Sequence, residues 1–122
     1  MCTGKTALIV EAEFLIALDL QRMLEGLGFT ETLLARDVAE ARGFLARRPD
    51  LAVAVVECRL NDADRLDLVT ELHAGSVPTV TITSDAELRH GIQGLDAVPV
   101  LGKPVAEDQL GFAIRSVLGA PA

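Results

Sequence analysis

Short apolar segments alternate with longer amphipathic segments along the chain. The short segments are 6–10, 32–35, 51–57, 78–82 and 98–101, and each has the length of a β-strand. Between them, apolar residues recur at helical spacing and predict helices from about 13 to 27, 38 to 47, 66 to 74 and 106 to 118. Segment 86–90 has room for barely two helical turns. This alternation predicts a five-stranded doubly wound parallel sheet of the α/β class with right-handed crossovers.

Segment 51–57 differs from the others because its apolar residues run without polar alternation up to Glu57. A strand that is covered on both faces needs such a run, so we expect this segment to be the central strand. The weaker segment 32–35 and the segment that contains Pro99, which has no backbone donor, are expected near the sheet edges. Ligands of open α/β sheets bind at the carboxyl ends of the strands, which is where Glu57 is placed.

The composition predicts one domain over residues 1–122, because 50% of the residues are hydrophobic and the chain is too short for two cores. The formal net charge of −7 argues against direct binding to nucleic acid or an anionic membrane, since both require a basic surface. Cys2 and Cys58 lack a CxxC spacing, which argues against a zinc site or a disulfide framework. Without a signal-peptide pattern or an apolar run of membrane-spanning length, a cytoplasmic location is expected.

Polar residues that could carry chemistry follow four of the predicted strands, and they are Glu11, Glu57, Thr83 and Lys103. Each alone is what any strand end carries, but in a parallel sheet all four converge on one edge. Together with segments 8–16, 77–83 and 101–105, they resemble the receiver domain of two-component response regulators over essentially the whole chain. The resemblance implies a flavodoxin-like (βα)5 receiver fold and a role in two-component signal transduction.

The resemblance also implies a role for each strand end. An acid pair after the first strand helps to hold Mg²⁺, and an Asp after the third strand accepts a phosphoryl group from a sensor kinase. A Thr or Ser after the fourth strand senses that group, and a Lys after the fifth strand contacts its oxygens. Glu11, Thr83 and Lys103 match the first acid, the sensing hydroxyl and the Lys.

Three positions depart from the family pattern: the second acid falls on Ala12, the phosphoacceptor on Glu57 and the aromatic switch position on Val100. Mg²⁺ needs well-placed carboxylates, so Glu11 and Glu57 are expected to bind it weakly at most, and no cofactor is expected. The extra methylene of Glu57 displaces its oxygens from the geometry of an attacking Asp, and a misplacement of about 1 Å can cost ~10²-fold in rate. The longer side chain is instead expected to pair with Lys103 and to hold the pocket in one state.

These departures predict a pseudo-receiver that is not an enzyme, and because one domain is expected over residues 1–122, it is expected to stand alone without an output domain. It would act as a phosphorylation-independent signalling or protein-interaction module whose partner is a histidine kinase or another signalling protein, and a homodimer is compatible with this reading. The alternative is a phosphorylatable single-domain response regulator that uses Glu57 or another acid such as Asp62. A small flavin or nucleotide binder is disfavoured, because acids in the loop after the first strand repel phosphate.

Overall fold

The computed structural model of the protein describes residues 5–119. Within these residues, five strands form one parallel sheet in the order β2-β1-β3-β4-β5. The strands are β1 Lys5–Val10, β2 Phe29–Ala35, β3 Val53–Glu57, β4 Thr79–Thr83 and β5 Val100–Gly102. The helices are α1 Phe14–Gly26, α2 Val38–Arg47, α3 Ala63–Ala74 and α4 Glu107–Leu118. A single turn of 3-10 helix, Leu88–His90, lies between β4 and β5. The predicted doubly wound parallel sheet is therefore confirmed.

The central strand of this sheet is β3, as its unbroken apolar run predicts. It pairs with β1 on one side and with β4 on the other, and all five of its residues are buried. Val53 and Val55 belong to the core on one face, whereas Ala54 and Val56 belong to the core on the other. Because both faces are covered, no position of β3 is free to be polar until Glu57, where the strand leaves the core.

Two apolar cores lie on opposite faces of the sheet. One core contains Leu20 and Leu24 of α1 together with Leu110 and Ile114 of α4. The other contains the buried residues of α2 and α3 together with side chains from the segment that joins β4 to β5. Each helix therefore contributes one apolar face to a core, which leaves the loops at the strand ends to carry polar chemistry.

The second and fifth predicted strands lie at the edges of the sheet, as expected from their sequences. The second strand begins at Phe29 rather than at residue 32, so it is longer than its apolar pattern indicates. The fifth begins at Val100, which leaves Pro99 just before the strand. The carbonyl of Pro99 accepts a hydrogen bond from the backbone N–H of Thr81 at 2.9 Å, so pairing with β4 begins at this residue although its nitrogen has no hydrogen to donate.

One connection differs from the sequence-based prediction, and a second is as short as the sequence indicates. Helix α3 begins at Ala63 rather than at residue 66, because the Asp62 side chain caps it by accepting a hydrogen bond from the N–H of Arg65 at 3.2 Å. Between β4 and β5, the chain forms only the 3-10 turn, and Gly91 and Gly94 follow it with φ of 118° and 84°. Such angles are outside the helical range and are reached readily only by glycine. The fourth strand is therefore not followed by a regular helix.

Among residues 5–119, none of the helices combines the length and the apolar composition that crossing a membrane requires.

Replacement of Asp37 by Ala should lower the free energy of unfolding by about 1 kcal/mol, because the Asp37 side chain caps α2 by accepting a hydrogen bond from the N–H of Glu40 at 2.8 Å. Urea unfolding followed by circular dichroism measures this loss. Asp37→Asn is the matched control, since Asn caps a helix about as well as Asp. Equal losses in both variants would mean that the cap contributes nothing.

Candidate functional site

The structure places the four predicted strand-end residues at one edge of the sheet. Glu11 directly follows β1, Glu57 and Thr83 are the last residues of β3 and β4, and Lys103 directly follows β5. The backbone N–H of Lys103 donates to the carbonyl of Thr83 at 2.8 Å, which extends the ladder between β4 and β5 to this edge. Glu11 and Lys103 also touch through their side chains, although residues from β3 and β4 lie between the two strands they follow.

The carboxylate of Glu57 is buried, with 1% of its side chain exposed, and both of its oxygens have cationic partners. The Arg65 guanidinium donates Nη1–H to Oε1, and the Arg59 guanidinium donates Nε–H to Oε2 at 3.1 Å. The hydrogen bond to Glu57 raises the pKa of Arg59, so this arginine stays charged. A carboxylate out of water requires such partners, because an uncompensated buried charge is strongly destabilising.

Arg65 is itself held from several sides in the first turn of α3. Its Nη1 also donates to the backbone carbonyl of Glu57 at 3.2 Å, and its Nε lies 3.3 Å from Oδ2 of Asp62. Its Nη2 is 3.4 Å from the carbonyl of Arg36, which lies just after β2. Only 12% of the Arg65 side chain is exposed. One guanidinium thus joins the end of the central strand, the start of α3 and the loop after β2.

The prediction that Glu57 pairs with Lys103 is wrong. Nζ of Lys103 instead lies 3.0 Å from Oε1 of Glu11 and 3.9 Å from Oε1 of Glu13. The side chains of Glu11 and Lys103 are 0% and 9% exposed. Because two arginines already neutralise Glu57, the lysine compensates the other buried carboxylate at this edge.

The contact between Glu11 and Lys103 is an ion pair rather than a well-aligned hydrogen bond. Within residues 5–119, Oε1 of Glu11 is a buried oxygen without a hydrogen bond of good geometry, despite the ammonium 3.0 Å away. Its other oxygen, Oε2, accepts a hydrogen bond from the backbone N–H of Glu13 at 3.1 Å. Charge attraction at short range does not need the alignment that a hydrogen bond needs, so the pair still offsets the burial of both groups.

Thr83 and Val100 have local contacts at this edge. Thr83 is buried, and its Oγ1 accepts a hydrogen bond from the N–H of Asp85 at 3.0 Å. Asp85 in turn accepts a hydrogen bond from the N–H of Leu60 at 2.9 Å and so ties the loop after β4 to the loop after β3. Val100 is half-buried and lines a groove formed by residues of β5 and α4. The roles of Thr83 as a sensing hydroxyl and of Val100 as a switch position stay predictions.

The residues present do not fit a Mg²⁺ site. Both oxygens of Glu57 and both oxygens of Glu11 already have partners inside the protein, and the exposed residue Ala12 offers no ligand. Within residues 5–119, no three His, Cys, Asp or Glu side chains are grouped so that they could hold a metal ion. Mg²⁺ prefers an octahedral shell of oxygens, whereas each of these two buried carboxylates already has its charge compensated by a basic side chain of the protein.

Cys58 lies next to Glu57 and is completely buried. Burial raises the pKa of the Cys58 thiol to about 12, and the negative charge of Glu57 acts in the same direction. At neutral pH the thiol is therefore protonated, and a protonated, buried thiol is a poor nucleophile. The sequence-based interpretation of Cys58 as a small buried side chain is confirmed.

Sequence reasoning missed Arg59 and Arg65, which are the direct partners of Glu57. Arg59 follows Glu57 by two residues and Arg65 by eight. The available signal was the pair of basic residues just after a buried acid in a chain with few basic residues. Their spacing alone does not show that both side chains turn back towards the strand, because that depends on where α3 starts.

Searches for relatives by sequence found no matching protein-family model and no matching curated protein. Solved structures with the same fold are nevertheless numerous. A sensor protein from Polaromonas sp. JS666 is 29% identical with a TM-score of 0.79, over 95% of this chain and 97% of that chain. A response regulator receiver protein from Sinorhizobium medicae WSM419 is 24% identical with a TM-score of 0.76, over 95% of each chain. The signal receiver domain of an HD domain-containing protein from Pseudomonas fluorescens Pf-5 is 24% identical with a TM-score of 0.79, over 94% of each chain. The chain therefore has the fold of a response regulator receiver domain.

Replacement of Glu11 by Gln or of Lys103 by Met should destabilise the protein more than both changes together, because each single change leaves one buried charge unpaired. A double-mutant cycle read by urea unfolding should give a coupling energy of about 1 kcal/mol or more. The matched cycle with Glu57→Gln and Lys103→Met should give a smaller value. A larger coupling of Lys103 to Glu57 than to Glu11 would contradict the observed pairing.

Cys58 should resist thiol reagents in the folded protein, because its thiol is buried and its pKa is raised to about 12. In a Cys2→Ser background, Ellman's reagent at about pH 8 should react with Cys58 only after unfolding, since the thiolate is the reactive form. The same variant in urea is the control for full reactivity. Rapid reaction of the native protein would show that the core around Cys58 opens readily to solvent.

Proposed function

We propose that this protein is a degenerate receiver domain that works as a phosphorylation-independent signalling or protein-interaction module in two-component-type signal transduction. The observation that carries the proposal is the state of Glu57, which stands at the family's phosphoacceptor position. Its carboxylate is buried, and both oxygens are engaged by the guanidinium groups of Arg59 and Arg65. A nucleophilic oxygen must instead be free to approach the phosphorus atom in line with the leaving group.

The electrostatics of the pocket support the same conclusion. Catalysis of phosphoryl transfer relies on positive charge that is free to stabilise the oxygens of the transferred group. Here the ammonium of Lys103 is paired with Glu11, and the two arginines are paired with Glu57. With Ala12 in place of a second acid, the donor set does not fit the metal ion that would otherwise bring in the phosphoryl donor.

Asp62, the other acid considered as an acceptor, has a structural role. Its Oδ1 caps α3 by accepting a hydrogen bond from the N–H of Arg65 at 3.2 Å, and its Oδ2 lies 3.3 Å from Nε of the same arginine. Phosphorylation there would break the helix cap and the ion pair together. The geometry therefore favours a module without phosphoryl transfer over the phosphorylatable alternative.

Such a module transmits its signal by binding another protein. The formal net charge of −7 disfavours nucleic acid and anionic membranes as direct targets. We infer a protein partner of the kind that receiver domains meet, a histidine kinase or another signalling protein, in the cytoplasm. If the partner is a second copy of this chain, the resulting assembly is a homodimer. No catalytic activity is part of the proposal.

Incubation with acetyl phosphate and MgCl₂, followed by intact-mass measurement, tests the proposal. We expect no phosphoryl adduct, because the Glu57 carboxylate is occupied and buried. An active receiver domain treated in parallel serves as the positive control. A stable adduct that disappears in Glu57→Gln would overturn the proposal, and an adduct that disappears only in Asp62→Asn would establish the alternative acceptor.

A further inference from the structure

Of the two guanidinium groups that contact Glu57, that of Arg65 is the more deeply buried. Its side chain is 12% exposed, compared with 54% for Arg59. It donates to a carboxylate oxygen and to the backbone carbonyl of the same residue, Glu57. Neither the fold nor the matched positions of the receiver pattern assigns a role to this residue.

The buried carboxylate of Glu57 needs a positive counter-charge that is always present. Glu57 lies at the end of the central strand with 1% of its side chain exposed, so its negative charge is largely cut off from water. An arginine keeps its charge throughout the physiological pH range, because its guanidinium does not lose a proton in proteins. Arg65 is therefore a counter-charge that is part of the chain and cannot diffuse away from Glu57.

The contacts of Arg65 also fix its position. The carbonyl of Arg36 lies 3.4 Å from its Nη2, and Oδ2 of Asp62 lies 3.3 Å from its Nε. Two carboxylates and two backbone carbonyls thus surround one cation. Oxygen donors of these kinds are also those that bind hard divalent cations in proteins.

We propose that Arg65 is the built-in replacement for a divalent cation in this pocket. Its guanidinium neutralises Glu57 and orders the loop between β3 and α3, so the folded pocket needs no metal ion and excludes one. In place of a metal ion that binds and dissociates, the chain would carry a covalently attached positive charge. The state of the pocket would then be independent of the Mg²⁺ concentration.

This inference concerns the pocket on which the proposed function rests, but it can fail separately from it. Phosphoryl transfer is decided by the mass of the protein after treatment with acetyl phosphate. The role of Arg65 is decided by the response of protein stability to Mg²⁺ without any phosphoryl donor.

The test compares thermal unfolding midpoints in MgCl₂, at roughly 10 mM so that even weak oxygen-ligand sites would be occupied, and in KCl of the same ionic strength. The wild-type midpoint should be the same in both salts. Arg65→Gln should lower the midpoint in KCl by about 10 °C, the size expected when one member of a buried pair is removed from a small domain. In MgCl₂ this variant should regain several degrees, because Mg²⁺ then supplies the missing charge.

Two further variants separate the role of a counter-cation from a merely structural role. Arg65→Lys keeps a positive charge and should retain more of the wild-type midpoint than Arg65→Gln, without a gain from Mg²⁺. Arg42→Gln is the matched control, because Arg42 forms a surface ion pair with Glu71 at 2.6 Å, and its loss should cost little and show no Mg²⁺ response.

The proposal is overturned if Mg²⁺ raises the wild-type midpoint in a way that Glu57→Gln abolishes, or if Arg65→Gln shows no gain from Mg²⁺. If Arg65→Gln does not fold in either salt, the double variant Glu57→Gln/Arg65→Gln decides the matter. We expect it to fold, because the buried carboxylate no longer requires a cation. A double variant that also fails to fold would show that Arg65 acts independently of the charge of Glu57, contrary to the proposal.

Discussion

A carboxylate at the buried end of the central strand is the constraint on which the rest of the site depends. The backbone of β3 leaves the core at Glu57, and the side chain there is cut off from water. Removing one partner from a buried ion pair typically costs about 3–5 kcal/mol, a large share of the stability of a domain of this size. The chain meets this requirement with Arg59 and Arg65, and their engagement determines which groups the other polar residues can reach.

The pocket consequently contains two separate charge systems instead of one. Glu57 is neutralised from the side of α3 by two arginines, whereas Glu11 is neutralised by Lys103 from the far edge of the sheet. In each system the buried carboxylate is paired with a basic side chain inside the protein. A site of this kind is suited to holding one conformation, and it leaves little unpaired charge for capturing a metal ion or a phosphoryl group.

Most of the fold could be predicted from the chain because apolar periodicity reports burial directly. The run before Glu57 marks a strand covered on both faces, and α2 begins at Val38, as its Asp37 cap indicates. The start of β2 at Phe29 was missed, because Thr30 and Glu31 are exposed polar residues that separate Phe29 from the apolar part of the strand. The start of α3 at Ala63 was missed because its first turn is polar and so lacks the apolar periodicity that marks a helix.

For the site, the sequence determined which residues stand at the strand ends, since β-α alternation in a parallel sheet brings Glu11, Glu57 and Lys103 to one edge. Only the tertiary structure decided how they pair. Ion pairs depend on distances of a few ångströms between flexible side chains, and these depend on where each loop turns. The start of α3 directs Arg65 back onto Glu57, and the lysine then compensates Glu11. The parallel sheet and the residues at its strand ends follow from a pattern that repeats along the chain, whereas the choice among nearby charges is made only after the chain has folded.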